Sequence, residues 1–143
     1  MAAPLERERR FIERVTGYRF RSEDLLQTAL IAFYHKRMAL VGDTVLKTAI
    51  LDDWYEEGTT VERGHNLQQK LAENATPQAW ARQVDLGPLI VLHAGQVPGN
   101  ISSRQLSDAV EALILAIWLD TGKDLDVIKQ VIRTMDLASF ASV

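Results

Sequence analysis

The chain has 143 residues, 47% hydrophobic and 24% charged, with a net charge of −3 and no cysteine. This suits a single cored domain over residues 1–143 and excludes disulfides, zinc–thiolate centres and thiol catalysis. A nucleic-acid partner would have to be held by a local basic patch or through metal, since the overall charge repels it.

Met1–Arg10 lacks the apolar segment of a secretion signal, and its arginines alternate with Glu6 and Glu8, unlike an organellar transit peptide. Leu5 to Val15 reads as a first helix that Gly17 ends. Ser22 is a good N-cap for a second helix over 23–33, with Glu23 and Asp24 in its first turn. Tyr34-His35-Lys36-Arg37 reads as a polar junction. A long helix then runs from Met38 to about Tyr55, and Gly42 inside it predicts close backbone contact with a neighbouring helix. Val61 to Asn74 is weakly amphipathic, with Leu67, Leu71 and Ala72 apolar. Thr76 and Pro77 open the next helix as cap and first residue, and Gly87-Pro88 stops it. Leu89 to Leu92 is a short strand or extended segment, before a loop over 95–99. Ser102 or Ser103 caps a helix that reaches Gly122, and Asp124 to Met135 forms the last. The fold class is all-α with about seven helices. No apolar run approaches the roughly 18 residues of a membrane span, so no membrane partner is expected and the protein reads as intracellular, in cytoplasm, nucleus or mitochondrion.

Two helices carry acids among apolar residues. Asp108 and Glu111 sit three apart, on one helix face, in the run Leu106 to Leu119; Asp43 stands alone in Met38 to Leu46. Buried carboxylates need a partner. One reading pairs them with Arg37, Lys47 or Arg104. The other brings Asp43, Asp108 and Glu111 together as one oxygen-ligand site, which suits Mg2+ with waters and a substrate phosphate, and Mn2+ as a substitute.

Four stretches resemble the ribonuclease III family. Arg37-Met38-Ala39-Leu40-Val41-Gly42-Asp43-Thr44-Val45-Leu46 resembles its signature helix, N-E-R-L-E-F-L-G-D-x-x-L. Leu106-Ser107-Asp108-Ala109-Val110-Glu111-Ala112-Leu113-Ile114 resembles L-A-D-x-x-E-A-L-I-G-A. Gly17-Tyr18-Arg19-Phe20 and Leu25 to Leu30 resemble its opening, and Trp118-Leu119-Asp120-Thr121-Gly122 its Y-L-D-x-G. The resemblance implies a homodimeric endonuclease domain that binds double-stranded RNA and cuts it with magnesium-activated water in RNA processing. It puts metal-site acids at Asp43, Asp108 and Glu111, with Asp43 and Glu111 catalytic, and Leu40, with Met38 and Val41, at the dimer interface.

The departures from the family pattern are specific. Ala39, Lys36 and Ala79 stand where acids are usual, Leu40 replaces an aromatic, and no double-stranded-RNA-binding domain falls within the 143 residues. The compact Mini-ribonuclease III branch also has Ala at the Ala39 position and cuts RNA. Mitochondrial large-subunit ribosomal proteins of this fold have lost catalytic acids and serve as RNA-binding scaffolds. An inactive dimeric RNA-binding or ribosomal scaffold is therefore the alternative function, and Lys36 pairing with Asp43 in place of metal would favour it. A helical interaction module without RNA is a third. Lys36, Arg37, Arg63 and Lys70 are candidate RNA-phosphate contacts. His35 is expected to be solvated, His65 and His93 have no ligand partners at useful spacing, and Trp54, Trp80 and Trp118 are expected to pack.

Overall fold

The structure, a computed structural model, describes residues 5–72 and 75–137. Asn74 and the side chains of Leu71 and Ala72, expected in the fourth helix, lie outside the described residues. Seven α-helices are present among those described: α1 (Glu6–Thr16), α2 (Glu23–Leu30), α3 (Ala32–Glu57), α4 (Val61–Ala72), α5 (Ala75–Gln83), α6 (Ser103–Asp120) and α7 (Leu125–Met135). The all-α class and the helix count agree with the sequence reading. Among the described residues no helix is long and apolar enough to cross a membrane.

Helix α6 is the axis of the fold. Every residue from Leu106 to Ile117 is buried, which is why its apolar run shows no polar face. Helices α2, α3, α5 and α7 pack around it. Its start is fixed by a capping box: the Ser102 hydroxyl accepts from the Gln105 amide at 3.1 Å and the Ser102 amide donates to the Gln105 side chain at 3.0 Å. Gly17 ends α1 in the left-handed conformation, at φ 76°, that glycine adopts without strain.

Three boundaries differ from the sequence reading. Helix α2 stops at Leu30, not Phe33, and α3 begins at Ala32, so Tyr34 to Arg37 is helical instead of a junction. Ile31 is extended and pairs with Val91: the Ala32 amide donates to the Val91 carbonyl at 2.9 Å and the Val91 amide to the Leu30 carbonyl at 2.7 Å. These bonds use the backbone groups that would have continued α2. Residues 89–92 thus take the extended option, after a 3₁₀ turn over Gly87–Leu89. Helix α5 begins at Ala75, which places Thr76 inside its first turn and not at the cap; Pro77 is tolerated there because first-turn amides have no helical acceptor.

Two long-range polar ties close the fold. The Asp120 carboxylate accepts from the Tyr18 hydroxyl and from the Arg21 and Ser22 amides at 2.8 and 2.9 Å. It joins the end of α6 to the start of α2, and it pushes the Tyr18 pKa upward together with burial, the larger cause. At the far end of α3, buried Lys129 of α7 pairs with Asp52, with Asp53 at 3.5 Å and with Glu56 at 3.9 Å.

The tightest contact is at Gly42, where a Cβ would stand 1.9 Å from the Glu111 carbonyl oxygen. Backbone on a neighbouring helix cannot yield as a side chain can. Gly42→Ala is expected to destabilise the protein by about 3 kcal/mol or more, at the upper end of overpacking costs, read as a lower urea midpoint at unchanged slope. Asp120→Ala strands three donors and is expected to cost about 2–3 kcal/mol in the same measurement.

Candidate functional site

The crossing at Gly42 positions the acids. Asp43 comes directly after Gly42 on α3, Glu111 supplies the touching carbonyl on α6, and Asp108 lies one turn before it. The three side chains line one cleft of about 430 Å³ together with Lys36, Ala39, Leu40 and Arg104. The expectation that the acids of two separate helices face one site therefore agrees with the geometry.

Their electrostatic states differ. Asp43 accepts from the Lys47 ammonium at 2.9 Å, and Asp108 lies 3.5 Å from the Arg104 guanidinium. Each pair spans four residues of one helix, so each forms without cost to the fold. Glu111 is only 8% exposed and makes no hydrogen bond or ion pair with the described residues. Burial, with Asp43 and Asp108 nearby, pushes its pKa up to about 8, while Lys47 and Arg104 pull it partly back. With the side chains so turned, no three His, Asp or Glu among the described residues form a metal-ligating group.

The other residues singled out in the sequence divide by place. Lys36 is exposed on the cleft wall and Arg37 is exposed beside it; the partner of Asp43 is Lys47, not Lys36. Leu40 and Val41 are 77% and 48% exposed, whereas Met38 is packed into the protomer's own core. Arg63 lies 4.0 Å from Glu57, roughly 20 Å along α3 from Asp43, and neither it nor Lys70 on α4 lines the cleft. Ala79 is half-buried on α5 and does not line it either. Trp80 is buried, and Trp118 packs against the core.

His35 corrects the sequence reading. Instead of being solvated it is 4% exposed, its ring 2.7 Å from the Ala29 carbonyl. Burial lowers its pKa below the usual imidazole value, against an opposing pull from Asp108. The available signal was its spacing: His35, Ala39 and Asp43 fall at i, i+4 and i+8, one face of a helix once α3 is extended to Ala32.

The Ribonuclease III domain model matches residues 36–122, which contain both acid-bearing stretches. The chain belongs to the ribonuclease III family. Ribonuclease 3 of Histophilus somni (strain 2336) is 35% identical over 123 residues, 80% of this chain and 55% of that protein. Ribonuclease 3 of Vibrio atlanticus (strain LGP32) is 30% identical over 141 residues, 92% of this chain and 60% of that protein. The chain thus spans little more than half the length of these curated relatives. The nuclease domain of ribonuclease III from Campylobacter jejuni, described for structural flexibility in a region involved in dimer formation, has the same fold. It superposes with a TM-score of 0.75 at 22% identity over 92% of this chain and 96% of that one.

Glu111 gives the ribonuclease III domain a pH signature. Its folded pKa of about 8 lies above the ordinary 4.5, so the folded state binds the proton more tightly than the unfolded state. That contribution is complete below pH 4.5 and is lost as pH rises through 8. In chelator, Glu111→Gln is expected to match wild type in Tm near pH 4.5 and to exceed it at about pH 9 by on the order of 5 °C.

Proposed function

We propose that this domain is a magnesium-dependent endonuclease that hydrolyses phosphodiesters of double-stranded RNA as a homodimer, in intracellular RNA processing, with Mn2+ able to replace Mg2+. The observation that carries this reading is the Glu111 carboxylate, buried without a counter-ion between Asp43 and Asp108 in an open cleft. A buried acid in that state is costly without a cation, and an all-oxygen donor set suits a hard one. The residues present therefore fit the ion.

Asp43, Asp108 and Glu111 would hold Mg2+, Asp43 and Glu111 being closest to the chemistry. When bound, the ion acidifies water and stabilises charge developing on the cut phosphodiester. Glu111 enters that state by giving up its proton, which its raised pKa makes available near neutral pH. Lys36, Arg37 and Arg104 give the cleft mouth the positive charge that RNA phosphates need. The exposed Leu40 and Val41 offer an apolar face for the second copy.

A second reading is a catalytically silent RNA-binding scaffold. It is favoured by one observation: Ala39 and Lys36, where the family motif carries acids, both line the cleft itself.

Long duplex RNA incubated with Mg2+ or Mn2+ separates the two. Wild type is expected to cut it, and Asp43→Asn or Glu111→Gln to lower the rate by about 100-fold or more. Absence of cutting at every metal concentration, with duplex still retained in a mobility shift, would establish the scaffold. Ala39→Glu, which adds a carboxylate to the cleft wall, is expected to raise the rate.

A further inference from the structure

We propose that His35 is a positioning residue for Asp108, holding the carboxylate through one water molecule that donates to both. The inference rests on hydrogen-bond accounting. A carbonyl oxygen only accepts, so the 2.7 Å contact to Ala29 requires that His35 Nε2 carry the proton and donate it. Burial keeps the ring neutral, which leaves Nδ1 as a bare acceptor in the protein interior, and buried acceptors find donors.

The donor is identified by what surrounds the ring. His35 and Asp108 line the same enclosed space of about 30 Å³ behind the acid cleft, about the share of liquid volume of a single water. Its walls otherwise include Ala32, Ile90, Leu92 and Ile101, which have no side-chain donors. Gln105 also lines it, but its amide is committed to Gln96 at 3.1 Å. His93 and Lys36 are exposed and solvated. Two acceptors, Nδ1 and the Asp108 carboxylate, thus face a space that admits one small molecule, and water is the molecule with two hydrogens to give. His35 would thereby link the end of α2 to the acid on α6. Its Nε2 closes an orphan carbonyl of α2, and its Nδ1 fixes how Asp108 faces the cleft.

The metal-binding consequence rests on the proposed function; the His35–water–Asp108 link does not. Two substitutions divide the ring's halves. His35→Gln keeps a donor near the Nε2 position and loses the Nδ1 acceptor. His35→Asn keeps an acceptor near the Nδ1 position and loses the bond to Ala29. With Mn2+ titrated calorimetrically into the RNA-free protein, His35→Gln is expected to keep its Tm and to bind Mn2+ about 10-fold more weakly. His35→Asn is expected to lose Tm and to bind within about threefold of wild type. Affinity that tracks Tm across both variants would reduce His35 to a helix cap and overturn the proposal. The link is read separately by imidazole 15N NMR of the metal-free protein. The expected result is an Nε2–H tautomer whose Nδ1 resonance moves in Asp108→Ala. An Nδ1–H tautomer, or an Nδ1 resonance blind to that substitution, would overturn it even where no Mn2+ binds. Absence of Mn2+ binding by wild type, with the Nδ1 response intact, would sink the metal reading and leave the link standing.

Discussion

The backbone-to-backbone contact of α3 with α6 at Gly42 governs both the packing of this molecule and the shape of its acid cleft. A glycine inside a helix costs about 1 kcal/mol relative to alanine. Here the missing Cβ lets the Glu111 carbonyl approach to where a side chain would stand. Two helices that met through ordinary side chains would lie roughly 8–10 Å apart, axis to axis, and acids on their facing sides would be separated by the residues between them. At a glycine the axes close, and the residues flanking the contact, Asp43 and Glu111, become neighbours. The cleft is therefore a product of packing: its acids are close because the chain has nothing at position 42 to hold them apart.

That same contact explains how much of the site was legible in the sequence. Gly42 could be read as a close approach because nothing else justifies glycine in an apolar-periodic helix. Asp43, Asp108 and Glu111 could be read because carboxylates are out of place in such runs. Salt-bridge partners could be narrowed too: Lys47 and Arg104 each stand four residues from an acid on their own helix. Lys36 stands seven from Asp43, also near its face, but the shorter spacing holds the pair.

What the sequence concealed came from tertiary hydrogen bonds. The α2–α3 boundary depends on Ile31 pairing with Val91, sixty residues away, and no local preference of Ile31 announces it. Phe33 then falls on the outside of α3 at 75% exposure although its chemistry argues for the core. The shift also turned His35 inward, so a residue that reads as solvated in a basic stretch became a buried neighbour of the acid site. The tie of Tyr18 to Asp120 spans 102 positions. Each residue sits in a recognisable motif, but only the fold shows that the two motifs are halves of one hydrogen-bond cluster.

The charges of the cleft bear on how many cations it could accommodate. Asp43 and Asp108 each have a same-helix partner, of a kind that contributes only a few tenths of a kcal/mol when solvated and yields easily to a stronger cation. Glu111 has no such option: positions 107 and 115, one turn either way, are Ser107 and Leu115. One acid of three is thus uncompensated, with Lys36 adding a further positive charge at the wall. A single divalent ion would satisfy Glu111 and displace the weaker pairs. A second would bring two more positive charges to a wall where Ala39 offers no oxygen and Lys36 repels it. On electrostatic grounds the substitutions at 36 and 39 act together, both lowering the cleft's capacity for cations. A carboxylate at either position would raise that capacity, and at position 39 it would do so next to the three acids already in place.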